Sequence, residues 1–220
     1  VIAFDRNADG SLGARRAYST RGTGTGGGLG NQGALTSSDS GQWLLAVNPG
    51  SDSISVFLNF GGRLFRTDTE ASGGVRPVSV TIEDDIVYVL NAGSDNLQGF
   101  RLSIYGTLTP ISGSRRALSA SGTAPAQVEF NRDGDLLAVT EKATNRVLTF
   151  AVDGDGRLGP TQIQDSPSPT PFGFAFGRRD QLLVSEAVGG AAGASTLSSY
   201  VLHGNGAASL VSPAVPSGQS

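Results

Sequence analysis

One strand pattern recurs four times along this chain, and it restricts the possible fold more than any other feature. Each copy is an apolar strand, a polar turn and a second apolar strand. The copies occupy residues 44–57, 87–100, 136–150 and 182–202. Aligned on Asn48, Asn91, Thr140 and Ser185, they recur at intervals of 43, 49 and 45 residues. Because such a unit cannot bury its apolar faces alone, a strand repeat of this length is typical of the blades of a β-propeller.

The segments on either side of each copy supply two more strands. A short apolar stretch and a turn precede the copy, as at residues 127–130 and 132–134, and a glycine-bearing turn with a weaker strand follows it, as at residues 155–158. Aspartate and glycine suit these turns because they tolerate unusual backbone angles. Buried middle strands followed by a polar outer strand match a propeller blade. The sequence therefore predicts an all-β propeller of four-stranded antiparallel blades.

The repeat also predicts how the chain is divided. We expect one propeller domain over residues 1–220, with about four and a half blades present. Residues 1–27 should form the end of a preceding blade and a loop, and residues 212–220 a tail leading to a missing blade. The predicted complete blades are residues 28–74, 75–122, 123–168 and 169–211. Since the chain contains no methionine, even at position 1, we expect it to be incomplete.

Composition excludes several classes of function. The formal net charge is −3 and the basic residues are scattered, so no nucleic-acid partner is expected. The chain has no apolar run of about 18 residues, which argues against a membrane span. The absence of cysteine and the single histidine, His203, exclude thiolate zinc sites and cysteine nucleophiles, and no metal or cofactor is expected. Low lysine with abundant glycine, alanine and serine favours a periplasmic or secreted setting over the cytoplasm.

Three local motifs invite a functional interpretation that their context does not support. Residues 22–27 match the dinucleotide pattern GxGxxG, but no strand and helix frame them, so a loop is expected. Residues 153–156 resemble the start of a calcium loop, yet Arg157 occupies a liganding position and no later glutamate completes the set, which indicates a hairpin turn. His203 lies in a turn before an outer strand, where we expect it to be exposed.

Several segments resemble one known family. They are residues 28–35, 44–57, 87–100 and 153–158. The sequence is similar to the lactonase family of seven-bladed β-propellers, which includes 6-phosphogluconolactonase-like proteins and carboxymuconate cyclases and shares repeats of the YVTN type. The resemblance covers nearly the whole chain. It implies that roughly two and a half blades of the ring are absent.

The resemblance also implies where an active centre would lie. In the enzymes of this family, the resemblance implies, arginine, histidine and carboxylate side chains meet at one mouth of the central channel, on loops that enter the innermost strands. A Pro-Arg-His run at the start of a blade is the most recognisable part. The matching position here is Pro125-Ala126-Gln127, so both the arginine and the histidine are missing.

Propeller topology places several polar loop residues together at this mouth. The predicted ligand-binding residues are Asn31, Gln32, Arg76, Gln127, Glu141, Lys142 and Glu186. Among them Arg76, Glu141 and Glu186 are the catalytic candidates, because a carboxylate beside an arginine can activate water while the arginine stabilises an oxyanion. The alternative is structural: Glu141 and Glu186 satisfy backbone donors in their turns, since charged loop residues seldom act on ligands.

Three functions follow from these observations. The first is a lactonase-like propeller that serves as a scaffold for a ligand or protein, favoured by the missing Pro-Arg-His run. The second is a hydrolase of sugar lactones or other cyclic esters, or a related cyclase, whose remaining catalytic groups lie in the missing blades. The third is a structural surface protein. The expected partners are a carbohydrate, a lactone or a protein at the channel mouth, together with the remaining blades of the same protein.

Overall fold

The computed structural model of the chain describes residues 1–218, which contain nineteen β-strands and one short 3₁₀ turn at Val188–Gly190. Gln219 and Ser220, the last residues of the predicted tail, lie outside the described residues. The strands form one hairpin and four antiparallel blades, in which successive strands are neighbours except at the outer edge of the second blade. This architecture confirms the predicted fold class. In the described part of the chain, no helix has the length and apolar character needed to cross a bilayer.

The hairpin and the blades follow one another along the chain. The hairpin pairs β1 (Ile2–Arg6) with β2 (Leu12–Ala17). Blade A contains β3 (Leu35–Ser37), β4 (Trp43–Asn48), β5 (Ser53–Phe60) and β6 (Arg63–Ala71). Blade B contains β7 (Pro77–Glu83), β8 (Ile86–Asn91), β9 (Asn96–Leu102), β10 (Leu108–Pro110) and β11 (Arg116–Ala117), the last two both paired with β9.

The two remaining blades have the same order. Blade C contains β12 (Pro125–Phe130), β13 (Leu136–Glu141), β14 (Arg146–Ala151) and β15 (Gln162–Asp165). Blade D contains β16 (Pro171–Phe176), β17 (Gln181–Glu186), β18 (Thr196–Leu202) and β19 (Ala208–Pro216). The prediction that blade D ends at residue 211 is wrong, because β19 remains paired with β18 as far as Pro216. Residues 212–216 therefore belong to the outer strand.

The strand register also corrects the alignment of the repeats by one residue. In each blade the last residue of the second strand pairs with the first residue of the third. These last residues are Asn48, Asn91, Glu141 and Glu186. Thr140 and Ser185 are the first polar residues after their apolar runs, as Asn48 and Asn91 are, but each still lies inside its strand. Glu141 and Glu186 are therefore the structural equivalents of the two asparagines.

The hydrophobic core is divided among the spaces between blades. Along β8, side chains alternate between the two faces of the sheet. Val87 and Val89 join the cluster shared with blade A, whereas Tyr88 and Leu90 join the cluster shared with blade C. A third cluster lies between blades C and D. Strands β8 and β13 are nearly continuous apolar runs because both of their faces are buried, whereas in blade D one face of β17 is exposed at Leu183.

At one end of the blades, an Asp or Asn side chain ties each of blades A, B and C to the next. This residue lies just before the third strand with φ between 45° and 56°, a left-handed conformation that Asp and Asn tolerate. Its carboxyl or amide oxygen accepts a hydrogen bond from a backbone N–H in the loop that enters the next blade. The acceptor and donor pairs are Asp52 with Arg76 (2.7 Å), Asp95 with Thr123 (3.0 Å) and Asn145 with Thr170 (2.8 Å).

At the opposite end, a glycine in the turn before the outer strand packs against the preceding blade. Its carbonyl oxygen accepts a hydrogen bond from a side-chain hydroxyl of that blade. The pairs are Gly106 with Thr67 (2.9 Å), Gly156 with Tyr88 (2.6 Å) and Gly206 with Thr149 (2.5 Å). A Cβ at Gly106 would lie 2.5 Å from the Trp43 ring, and its φ of +76° is unfavourable for other residues. Only glycine permits this approach of the blades.

The Asp95 contact predicts a measurable loss of stability. Its carboxylate accepts hydrogen bonds from Gly122 N–H (2.7 Å), Thr123 N–H (3.0 Å) and the Thr123 hydroxyl (2.6 Å). We expect Asp95→Ala to lower the free energy of unfolding by about 1–3 kcal/mol in urea titrations, because donors at the blade junction lose their acceptor. Asp133→Ala, in an exposed turn at the other end of the blades, should change it by less than about 0.5 kcal/mol. Equal effects of the two substitutions would contradict the role given to Asp95.

Candidate functional site

The innermost strands of the four blades line a cavity of about 830 Å³ along the propeller axis. Strands β7, β12 and β16 each begin with a proline and have an irregular register just after it. Irregularities of this kind re-aim the side chains that follow. Polar side chains from several blades line the cavity, among them Thr36, Asp39, Thr81, Glu83, Gln127 and Glu129.

Gln127 joins the inner strands of blades C and D. Its Oε1 accepts a hydrogen bond from Phe174 N–H (2.9 Å), and its Nε2 donates to the Phe174 carbonyl oxygen (2.9 Å). The side-chain amide thus pairs with a backbone residue as one strand pairs with another. Gln127 also lines the cavity, although only 7% of its surface is exposed. Its predicted contact with a ligand stays a prediction.

Asn31 and Gln32 lie in a loop that crosses the channel mouth. We call residues 28–34 the strap. The Asn31 amide donates a hydrogen bond to the Val78 carbonyl oxygen of blade B, and Gln32 N–H donates to the Ala126 carbonyl oxygen of blade C at 2.9 Å. A loop that precedes blade A therefore contacts two later blades.

Lys142, which follows the second strand of blade C, also contacts the strap. This lysine, the only one in the sequence, donates a hydrogen bond to the Gly30 carbonyl oxygen, and its ammonium lies 5.2 Å from the centroid of the Phe172 ring. Burial lowers the pKa of Lys142, and the positive charge of Arg76 lowers it further. The Arg76 side chain is exposed. Two cations therefore lie at the mouth end of the blades, where the charge of Arg76 acts on Lys142, and this arrangement favours an anion.

Glu141 and Glu186 lie at the same end of the blades but away from the cavity lining. Both are fully buried. Glu141 accepts hydrogen bonds from the Ser119 N–H (2.9 Å), the Ser119 hydroxyl and the Thr144 hydroxyl (2.5 Å). Glu186 accepts from the hydroxyls of Thr196 (2.7 Å) and Ser166 (3.3 Å). These contacts agree with the structural alternative, in which the two carboxylates satisfy nearby donors, and a catalytic role for them stays a prediction.

Sequence reasoning did not single out Glu129, which lines the cavity two residues after Gln127. Gln127 Nε2 donates a hydrogen bond to Glu129 Oε2 at 2.5 Å. Burial raises the pKa of Glu129, and the hydrogen bond from Gln127 opposes that effect. Side chains two residues apart on a strand lie on the same face of the sheet. The prediction that Gln127 faces the channel could therefore have identified Glu129 as well.

The three motifs with weak sequence support have ordinary structural roles. Residues 22–27 lie in a loop, and the segment that follows it is the strap and then β3, with no helix. The Asp153 carboxylate accepts hydrogen bonds from the N–H groups of Asp155 (3.0 Å) and Arg157 (2.8 Å), which confirms the hairpin turn. His203 is exposed as predicted. Among residues 1–218, no group of three or more His, Asp or Glu side chains is arranged to hold a metal ion.

Because Lys142 is the only lysine, its ionisation can be followed directly. Reductive methylation with ¹³C-formaldehyde should give one lysine signal in NMR spectra, with a pKa below that of an exposed lysine. In Arg76→Ala the pKa should rise, since a neighbouring positive charge is removed, but it should stay below the ordinary value because burial is the larger cause. Arg132→Ala, which alters the other end of the cavity, serves as the control. An unchanged Lys142 pKa in Arg76→Ala would show that the two cations do not interact.

Comparisons with known proteins agree with the propeller fold described above. The chain matches solved structures of a proposed 6-phosphogluconolactonase from Bacteroides uniformis (17% identity, TM-score 0.74) and the periplasmic gluconolactonase of Pseudomonas aeruginosa (20% identity, TM-score 0.73). It also matches a protein from Lactobacillus plantarum (18% identity, TM-score 0.75). Each match covers 97% of this chain but only 64–65% of the solved protein. Among curated proteins, none matches the sequence.

The similar solved structures support the propeller fold, and a match to a family model identifies the family. The model described as lactonase, seven-bladed β-propeller matches residues 1–121, which is more than half of the chain. This match agrees with the resemblance found in the repeats and with the four blades and the hairpin of the structure. The chain therefore belongs to the lactonase family of seven-bladed β-propellers.

Proposed function

We propose that the chain is a ligand-binding part of a lactonase-like propeller, and that its channel mouth binds a small anionic, hydroxyl-rich compound such as a sugar acid. The observation that carries this proposal is the pair of cations, Arg76 and Lys142, at a mouth lined by polar groups. The similar structures named gluconolactonase make sugar acids and their lactones a reasonable class to test.

The electrostatics of the mouth favour an anion. Lys142 is half-buried, so its ammonium has lost part of its hydration, and the nearby Arg76 disfavours its charge further. A carboxylate or phosphate between the two groups would offset both effects through charge-assisted hydrogen bonds. The strap adds donors and acceptors beside this position through Asn31 and Gln32.

The remaining mouth residues support binding more than catalysis by this segment alone. Ala126 and Gln127 lie where the family resemblance implies arginine and histidine, and Gln127 is hydrogen-bonded to the Phe174 backbone. Glu141 and Glu186 accept hydrogen bonds from serine and threonine residues of the blade junctions.

Calorimetric titration with D-gluconate tests the binding proposal. We expect measurable binding by the protein, weakened about tenfold or more by Arg76→Ala and by Lys142→Met, because each removes a charge-assisted hydrogen bond. Arg132→Ala, an exposed arginine at the other end of the cavity, should bind within about twofold of the unchanged protein. Absence of binding, or equal losses in all three variants, would contradict the proposal.

A cyclic-ester hydrolase is the second candidate function. It is supported by the similar structures named for lactonase activity, and its missing catalytic groups would come from further blades. Hydrolysis of D-gluconolactone measured in a pH-stat would favour it if the rate falls in Arg76→Ala. The rate should also fall in Glu141→Gln, which preserves the shape of the buried side chain. A rate equal to that without protein, measured on a chain that contains all the blades, would exclude this candidate.

A further inference from the structure

Glu129 is a carboxylate inside the channel that the mouth residues do not include. It lies within β12 and is half-buried, and its side chain lines the same cavity as Gln127 and Thr81. On the same strand Ala126, Val128 and Phe130 are buried. A charged side chain in the wall of a channel is costly unless it has partners. The groups that form hydrogen bonds with Glu129 therefore indicate what kind of ligand the channel can bind.

The position of Glu129 is fixed by a short chain of hydrogen bonds. Gln127 Nε2 donates to Glu129 Oε2 (2.5 Å), and the Gln127 amide is itself fixed by the N–H and C=O groups of Phe174. An ionised carboxylate can accept about four hydrogen bonds. In the described part of the chain Gln127 supplies the one hydrogen bond found for Glu129. The carboxylate therefore keeps most of its capacity to accept hydrogen bonds while its orientation is held.

We propose that Glu129 is a ligand contact that accepts a hydrogen bond from a hydroxyl group of a molecule bound in the channel, with Gln127 as its positioning residue. This inference rests on the proposed function and adds to it the orientation of the bound ligand. A carboxylate repels an anion, so the anionic end of the ligand should lie near Lys142 and Arg76. Its hydroxyl-bearing end should extend inward to Glu129.

The surroundings of Glu129 agree with this role. Burial raises its pKa and the Gln127 hydrogen bond opposes that effect, so the channel wall stabilises the carboxylate only in part. The other charged side chains of the cavity lining are Asp39, Glu83 and Arg132. A hydroxyl donor would stabilise the charged form without adding a charge to the channel. Binding should therefore lower the pKa of Glu129.

Calorimetric titration with D-gluconate tests the inference through an isosteric substitution. We expect Glu129→Gln to weaken binding about tenfold, because an ionised acceptor is replaced by a neutral amide. Glu70→Gln is the matched control, since Glu70 is a half-buried carboxylate on the outer strand β6, away from the cavity, and this variant should bind within about twofold of the unchanged protein. The ¹³C signal of the Glu129 carboxyl group should shift on addition of gluconate.

The Gln127→Leu variant tests whether Gln127 positions the Glu129 carboxylate or only stabilises the fold. With its hydrogen bond lost, the Glu129 pKa measured by NMR should rise, and gluconate should bind more weakly.

If the unchanged protein does not bind gluconate, both the proposed function and this inference are overturned. If it binds, and Arg76→Ala weakens binding while Glu129→Gln does not, only the inference about Glu129 is overturned. That second comparison does not depend on whether Gln127→Leu folds.

Discussion

The structure depends on the burial of apolar blade faces against neighbouring blades. In blades B and C a neighbouring blade covers each of the two apolar faces, as Val87 and Tyr88 show on opposite faces of β8. Radial stacking around an axis follows from this requirement. The stacking then brings the first strand of every blade to the axis, and this creates a channel lined by both polar and apolar side chains. The candidate site is thus a consequence of how the core is buried.

Stacking also accounts for many polar residues at the ends of the blades. Asp52, Asp95 and Asn145 bind the loop that enters the next blade, and the carbonyl oxygens of Gly106, Gly156 and Gly206 bind the preceding blade. Glu141 and Glu186 accept hydrogen bonds at the same junctions. Such contacts resemble a functional site in sequence, because they place charged residues at regular positions near the mouth. Their physical role is to satisfy donors where strands end and turns begin.

The sequence predicted the blades, the four-strand pattern and the family because these depend on periodic apolar residues and glycine turns. It could not separate Thr140 from Glu141 as the equivalent of Asn48, since polarity alone does not mark where a strand ends. It placed blade D's end too early because Ser212 and Pro213 look like a tail, although they continue a paired strand. Glu129 was not among the residues predicted from the sequence, because its position in the cavity lining depends on which face of β12 meets the channel. The crossing of the mouth by the strap depends on tertiary contacts that no local pattern encodes.

Side-chain to backbone hydrogen bonds join the inner strands of adjacent blades around the channel. Native-state hydrogen exchange tests this arrangement most directly at the amides of Val128 and Phe174, which donate to Ser79 Oγ (3.1 Å) and Gln127 Oε1 (2.9 Å). We expect both amides to exchange as slowly as those within the β12–β13 pairing, because opening them requires separation of the blades. Exchange at the rate of an exposed loop amide would contradict this account of the channel.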